Sequence, residues 1–317
     1  MTPHVGLGQT VAKIILFGEH SVVYGYPAIA LPMHSLRMTA RVEPVGPDAP
    51  STLTGLGWSG PMHKAPSHFA SILRARDVAV EFIGAPDAQM SITTQSEFPA
   101  QRGLGSSAAA AGAVIRAILD AYDAPARPEE IFTLTQEAER VAHGRPSGLD
   151  AMVTSAATPV HFQGGKTTEL ALPLNAWIVI ADSGIMGSTR ETVGHVRSLY
   201  ETSFHSTRES LSRLGKIADG AIKDLRGGDI TRLGIRMTES HGILAELGVS
   251  TDQLDELVYA ALDAGALGGK LTGGGGGGCV IALARTSEDA QKIEEAMRTA
   301  GARATWLHAP ILNEVIA

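Results

Sequence analysis

Runs of apolar and β-branched residues bounded by glycine or proline predict strands in the first part of the chain, at Thr10–Phe17, Ala28–Leu31 and Met38–Val42. From 68 to 82 the apolar residues Phe69, Ile72, Leu73, Val78 and Val80 recur at an imperfect helical spacing. Met90–Thr94 reads as a further strand and runs into a glycine-rich stretch. Helical patterns follow at Ser106–Tyr122 and Pro128–Ala142, and a third begins near Gly148. Trp177–Ala181 has the pattern of a short buried strand. Charged helical stretches come next, at Ser188–Leu199, Thr207–Leu225, Asp229–Leu247 and Thr251–Ala264. A strand at Cys279–Ala284, a helix at Ser287–Thr299 and a strand at Ala304–Leu307 complete the pattern. Strands and helices interleave without strict βαβ alternation, which predicts an α+β fold in two lobes. Glycine and turn residues cluster at Gly164–Leu174, and the expected domains are 1–170 and 171–317.

Composition narrows the class. The 317 residues are 44% apolar and 19% charged, enough to build a core and too apolar for disorder. A net charge of −7 argues against a nucleic-acid binder, which needs a basic face. Met1–Thr10 has neither the basic start nor the apolar centre of a signal peptide, and no uncharged apolar run reaches membrane-spanning length. Cys279 is the single cysteine, so no intrachain disulfide forms and a reducing, cytoplasmic setting is expected. Its place in an apolar run marks it as a small core residue rather than a nucleophile.

Chemistry concentrates in three segments. The first to stand out is Pro99-Ala100-Gln101-Arg102-Gly103-Leu104-Gly105-Ser106-Ser107-Ala108. Its glycines permit a tight turn and close approach of the backbone to a ligand. Backbone N–H groups at the start of the following helix form a site for an anion, of which phosphate is the commonest. The segment is not the G-x-x-x-x-G-K-[ST] loop, because Ser106 stands where that pattern requires lysine. The plain alternative is a helix capped by serine.

The second segment is Lys13-Ile14-Ile15-Leu16-Phe17-Gly18-Glu19-His20-Ser21-Val22-Val23-Tyr24-Gly25. A lysine in an apolar strand is usually an edge or snorkelling residue, but one pointing into a site neutralises a transferring phosphoryl group. Glu19 and His20 sit where the chain turns and can either bond a polyol or a carboxylate substrate or cap the turn. The third segment is Lys270-Leu271-Thr272 followed by six consecutive glycines, Gly273–Gly278. Ordering so many glycines is entropically costly. An apolar strand follows at once, so a backbone that must pass close to a ligand explains them better than a flexible linker does.

Taken in order, these three segments resemble the motifs of the galactokinase, homoserine kinase, mevalonate kinase and phosphomevalonate kinase family, and the resemblance covers nearly the whole chain. It implies a two-lobed small-molecule kinase fold with a glycine-rich phosphate loop leading into a helix. Residues 1–170 would bind ATP and magnesium, and 171–317 would complete the substrate cleft. Gly18–Gly25, His143–Asp150, Lys270–Thr272 and the Ala181–Gly184 run leading to Ser188-Thr189-Arg190 are most similar to the branch acting on mevalonate. That implies transfer of the γ-phosphoryl of ATP to the C5 hydroxyl. A sister acceptor (phosphomevalonate, homoserine or a sugar) and a non-catalytic ligand sensor on the same scaffold are the alternatives, and a homodimer is left open. Three departures stand out: Arg145 where many members have asparagine, Gly274 for the usual alanine, and Gly187 in a segment where animal members often carry arginine.

The resemblance also carries roles. Gly103, Leu104, Gly105, Ser106, Ser107 and Ala108 would hold ATP, with Ser107 and Glu139 as magnesium ligands. Without it Glu139 reads as a helix-surface acid. Asp150, at the predicted start of a helix, is by pattern alone a first-turn acid favoured by the dipole. The resemblance makes it the base that accepts or orients the acceptor proton, with Lys13 paired to it. Lys13, Glu19, His20, Ser147, Asp150 and Thr189 would face the substrate. His20 or Arg190 would meet its carboxylate.

Overall fold

The computed structural model describes residues 3–143, 147–170 and 172–311. Contacts divide them into two compact units that interleave along the chain. One comprises residues up to 13, 32–100 and 105–157; the other comprises 14–31, 101–104 and residues from 158 onward. Two long strands, β1 (Gly6–Phe17) and β2 (Ala28–Pro44), contribute residues to both.

The first unit continues with β3 (Thr52–Gly55), β4 (Trp58–Pro61), α1 (Ala70–Phe82), β5 (Met90–Ser96), α2 (Ser106–Ala121), α3 (Pro128–His143) and α4 (Leu149–Val153). Residues 38–44 of β2 pair antiparallel with β5, β5 pairs parallel with β3, and β3 and β4 form a hairpin. That hairpin turns on Leu56 and Gly57, both at positive φ, as a two-residue turn with the right twist requires. Helices α1, α2 and α3 pack on one another.

Helix α2 is almost wholly buried, and its small residues let β1 approach backbone to backbone. A Cβ at Gly6 would lie 2.0 Å from the Ala117 carbonyl oxygen, and one at Gly8 would lie 2.0 Å from that of Ala113. One step further, the Thr10 hydroxyl donates to the Ala109 carbonyl at 2.7 Å. Two strand residues rise about 6.6 Å and four helix residues about 6 Å, so the two periods stay in step. This register brings β1 to the N-terminus of α2 at Lys13. Val11 N–H also donates to the Thr154 carbonyl at the end of α4, and Thr154 bonds back to the Asp150 carbonyl through both N–H and hydroxyl. Lys13 and Asp150 are thus placed by one strand.

The second unit contains β6 (Val160–Gln163), β7 (Lys166–Glu169), β8 (Trp177–Asp182), α5 (Thr189–Thr202), α6 (Phe204–Gly227), α7 (Ile230–Glu246), α8 (Asp252–Asp263), β9 (Gly268–Thr272), β10 (Cys279–Ala284), α9 (Ser287–Thr299) and β11 (Ala304–His308). Residues 28–30 of β2 pair with β6, which forms a hairpin with β7. The other sheet is antiparallel in the order β11-β8-β10-β9. Helices α8 and α9 cover it, and α7 packs on β9. Side chains of Ser188, Asp229, Thr251 and Thr286 cap α5, α7, α8 and α9. Cys279 is fully buried, and burial, followed by the nearby Asp182 charge, pushes its thiol pKa well up. Among the described residues no helix is long and apolar enough to cross a membrane.

The α+β class and nearly all of the predicted helices and strands are present. The pattern splits β2 in two, whereas the structure has one strand. Pro32 falls between the part paired with β6 and the part paired with β5, where its missing N–H breaks neither ladder. Strands β3, β4, β6 and β7 have four residues each, too few for the pattern to mark them.

The close approach of β1 to α2 has a direct test. Gly8→Ala would force a methyl against the Ala113 carbonyl and is expected to cost about 2–3 kcal/mol of unfolding free energy. Gly242→Ala, on an open face of α7 with no neighbouring atom within 4 Å, is expected to be neutral or to stabilise by up to about 1 kcal/mol. Denaturant titration of both variants checks the contrast.

Candidate active site

In the first unit, Lys13 is only 3% exposed, and its Nζ lies 3.1 Å from Asp150 Oδ1. A buried ammonium needs a partner, and Asp150 supplies it from the first turn of α4 while remaining 45% exposed. A shielded cation is therefore held against a carboxylate that solvent, or a substrate, can reach.

The start of α2 departs from a serine-capped helix. Its N-cap is Gly105, in the left-handed conformation at φ 74°, with no side-chain cap; Ser106 and Ser107 occupy the first two helical positions. Glycine is required twice over here, because a Cβ would also sit 2.8 Å from Lys13 Cγ. The first-turn N–H groups therefore have no side-chain cap at the N-cap position. Ser107 Oγ donates to Glu139 Oε1 at 2.6 Å and lies 3.0 Å from Ser71 Oγ. Glu139, predicted by pattern alone to be a surface acid, is 3% exposed on α3. Nothing in the sequence marks Ser71, a lone serine near the start of α1.

In the second unit, Glu19 and Lys270 form a fully buried ion pair, and Lys270 Nζ also donates to the Leu271 carbonyl at 2.7 Å. Lys270 is a second lysine in an apolar strand, the same signal as Lys13, and sequence reasoning assigns it no role. Glu19 is thus held in the interior by charge. His20 Nε2 lies 2.8 Å from the Gly274 carbonyl oxygen, which can only accept, so Nε2 carries a proton. Burial is the main cause that holds the His20 pKa below its usual value. The Gly274 bond opposes this, and His195 and Lys270 add to it. His20 is therefore neutral at pH 7, and of the two candidates for a carboxylate partner Arg190 is the fixed cation.

Gly274 also lies against the start of α5, where a Cβ would sit 3.0 Å from Thr189 Cα and Oγ1. His20 and Thr189 thus meet around Gly274, and glycine rather than alanine keeps that contact unstrained. At Gly187 a Cβ would lie 2.9 Å from the Gly275 carbonyl oxygen, so a side chain there would displace the glycine loop. The loop takes positive φ at Gly273 and at 275–278. Thr272, just before it, ties β9 to β1, its hydroxyl accepting from Ile15 N–H at 2.9 Å and donating to the Ile15 carbonyl at 3.1 Å.

Gly103 and Leu104 belong to this second unit, and Gly105, Ser106, Ser107 and Ala108 to the first. Ser147 is exposed and accepts from Leu149 N–H at 3.3 Å. Arg145 lies outside the described residues.

The N-terminal domain model of the GHMP kinases matches residues 70–157, and the C-terminal model matches 221–303. The mevalonate kinase of Pyrococcus furiosus is 33% identical, over 93% of this chain and 93% of its own. That of Thermococcus gammatolerans is 35% identical, with the same coverage of both chains. The crystal structure of L. major mevalonate kinase in complex with R-mevalonate superposes with a TM-score of 0.83 at 25% identity, covering 98% of this chain and 97% of that one. With both domain models matched and relatives a third identical along almost the whole length, the chain belongs to the GHMP kinase family.

Proposed function

We propose that this protein is an ATP-dependent kinase that transfers the γ-phosphoryl group of ATP to the C5 hydroxyl of mevalonate, giving 5-phosphomevalonate and ADP. The observation that carries the reaction class is the Lys13–Asp150 pair, a buried cation against a half-exposed carboxylate. The acceptor follows from relatives that bear the name mevalonate kinase and match along nearly the whole chain. A decayed, ligand-sensing scaffold has no need to keep Lys13, Ser107, Glu139 and Asp150 together, and all four are present.

Phosphoryl transfer asks for positioning and charge neutralisation more than for covalent chemistry. Asp150 accepts the proton of the acceptor hydroxyl, or orients that hydroxyl for in-line attack. Lys13 holds the carboxylate in place and presents its charge to the transferring group. Gly103–Ala108 receive the triphosphate, with the first turn of α2 offering backbone N–H donors. His20, Ser147 and Thr189 face the acceptor. Glu19, buried and held by Lys270, supports the turn that carries His20 rather than facing the acceptor, and Arg190 balances the acceptor's carboxylate.

The Ser107 hydroxyl and the Glu139 carboxylate fit a hard divalent cation. They form one part-buried pair of oxygen donors, with Glu139 itself 3% exposed. Magnesium typically takes one or two protein oxygens and completes its shell with water and phosphate. Bound there, it would supply neutralising charge to the phosphates of ATP. The single buried cysteine fits a cytoplasmic setting.

Asp150→Asn is near-isosteric but cannot take the proton, and kcat is expected to fall roughly a hundredfold or more with the fold and ATP affinity kept. Steady-state kinetics on the folded variant decide it, since near wild-type turnover removes Asp150 from the mechanism. Glu139→Gln loses one anionic ligand and is expected to need more magnesium for half-maximal rate, with partial rescue at high magnesium. An unchanged magnesium titration curve means that Glu139 is not a ligand.

Charge argues for the acceptor. Phosphomevalonate adds about two negative charges at neutral pH. The substrate-side segments Gly18–Gly25, His143–Asp150 and Ser183–Arg190 carry only Arg145 and Arg190 as fixed cations. A coupled ADP-release assay over mevalonate, phosphomevalonate, homoserine and galactose is expected to give mevalonate by far the highest kcat/KM. A clear preference for any of the other three leaves the family and removes the acceptor.

A further inference from the structure

Arg102 is the last residue before the first glycine of the phosphate loop, and it is buried. It is 6% exposed, and its Nε lies 2.9 Å from Oδ1 of Asp182, which is 2% exposed at the end of β8. Its Nη2 donates to the Gly184 carbonyl at 3.1 Å, and Gly184 N–H donates to the same Asp182 oxygen at 2.9 Å. Guanidinium, carboxylate and one turn of backbone are thus linked by an ion pair and two hydrogen bonds.

Three loops meet on this pair. Ser183 N–H donates to the Gly278 carbonyl at 2.9 Å, Gly278 N–H to the Ile185 carbonyl at 2.8 Å, and Gly187 N–H to the Gln101 carbonyl at 3.2 Å. A Cβ at Gly278 would lie 2.8 Å from the Arg102 carbonyl oxygen, and one at Gly103 would lie 2.8 Å from that of Thr272. The contacts are close because glycines line them, and glycines bring no side chains to hold the loops in register. Only directional contacts can do so.

The loops are not held equally. Asp182 is fixed by its strand, which pairs with β10 and β11, and its carbonyl accepts from Arg303 N–H at 2.8 Å. The segment 101–104 is a loop with no strand of its own. A buried ion pair is a poor source of net stability, because desolvation offsets the Coulomb gain, but it is geometrically exacting. Placed here, it fixes the loop end that is otherwise least constrained.

We infer that Arg102, held by Asp182, is a positioning residue for the nucleotide: it keeps the first turn of the phosphate loop in its ATP-binding conformation, so that little ordering is left to be done on binding. This rests on the reading of Gly103–Ala108 as the ATP loop. Arg102 touches no phosphate in this account and acts through Gly103.

The test separates positioning from stability. Arg102→Met combined with Asp182→Leu replaces the pair by apolar groups, which typically restores stability lost in either single variant. The double variant is expected to melt within a few degrees of wild type yet show a KM for ATP raised about tenfold, the order set by leaving about one residue of backbone to be ordered on binding. Its KM for mevalonate is expected to rise less than that for ATP, because β8 stays anchored by β10 and β11 although Gly184 N–H loses its acceptor. Arg102→Lys keeps the charge but loses the planar fork, and is expected to fold and to raise KM for ATP in the same direction. A wild-type KM for ATP in either variant overturns the proposal, as does an equal rise in both KM values. Thermal shift with magnesium and ADP guards the underlying reading. If the nucleotide fails to stabilise the wild type, the ATP-loop reading falls and the proposal with it. If it stabilises wild type and variants equally, the proposal alone falls.

Discussion

The backbone contact between β1 and α2 is the constraint on which the first unit depends. Gly6, Gly8 and Thr10 meet Ala117, Ala113 and Ala109, and at the first two positions a single methyl group would overlap a carbonyl oxygen. Close packing of this kind tolerates no slip, because a one-residue shift of the strand would turn its other face to the helix. The same register brings Lys13 against Gly105 at the helix start. Through Val11 and Thr154 it also places the turn that carries Asp150. The alanine run that gives α2 its helix propensity thus also sets where the cation goes.

Charge is the second organising element. Lys13–Asp150, Glu19–Lys270 and Arg102–Asp182 each bury at least one ionised side chain at 3% exposure or less. Leaving such a charge unpaired is costly, so each pair is obligatory once the surrounding core has formed. The partners are far apart in sequence, and each pair holds a segment outside the long strands and helices or at their ends: the start of α2, the turn after β1, and the loop 101–104. Net stability comes from the apolar core, whereas these pairs specify geometry.

Glycine has opposite consequences in different places. At Gly103, Gly187, Gly274 and Gly278 the missing Cβ lets loops lie within bonding distance of one another. The same absence leaves those loops with few side chains, so their order depends on backbone hydrogen bonds and on neighbours such as Thr272 and Asp182. Neutral His20, bonded to the Gly274 carbonyl, belongs to this system.

Much of the fold is local, and the sequence alone determined it. Apolar period and capping residues mark α2, α3 and α6 to α9 to within a few residues, and glycine clusters mark both loops. The three motifs, read in order, also lead to the family and to Lys13, Ser107, Glu139 and Asp150 as candidates. What the sequence leaves undecided are properties of packing between distant segments. Period alone makes Glu139 a surface acid; it is buried because α3 lies against α2 and Ser107. Ser71, Lys270, Arg102 and Asp182 acquire meaning only from partners 36 to 251 residues away. The interleaving of the two units depends on β1 and β2 running through both, which no boundary of composition records. Periodicity encodes which face of an element is buried, but the partner on that face, and so the environment of every charge, exists only once the chain has folded.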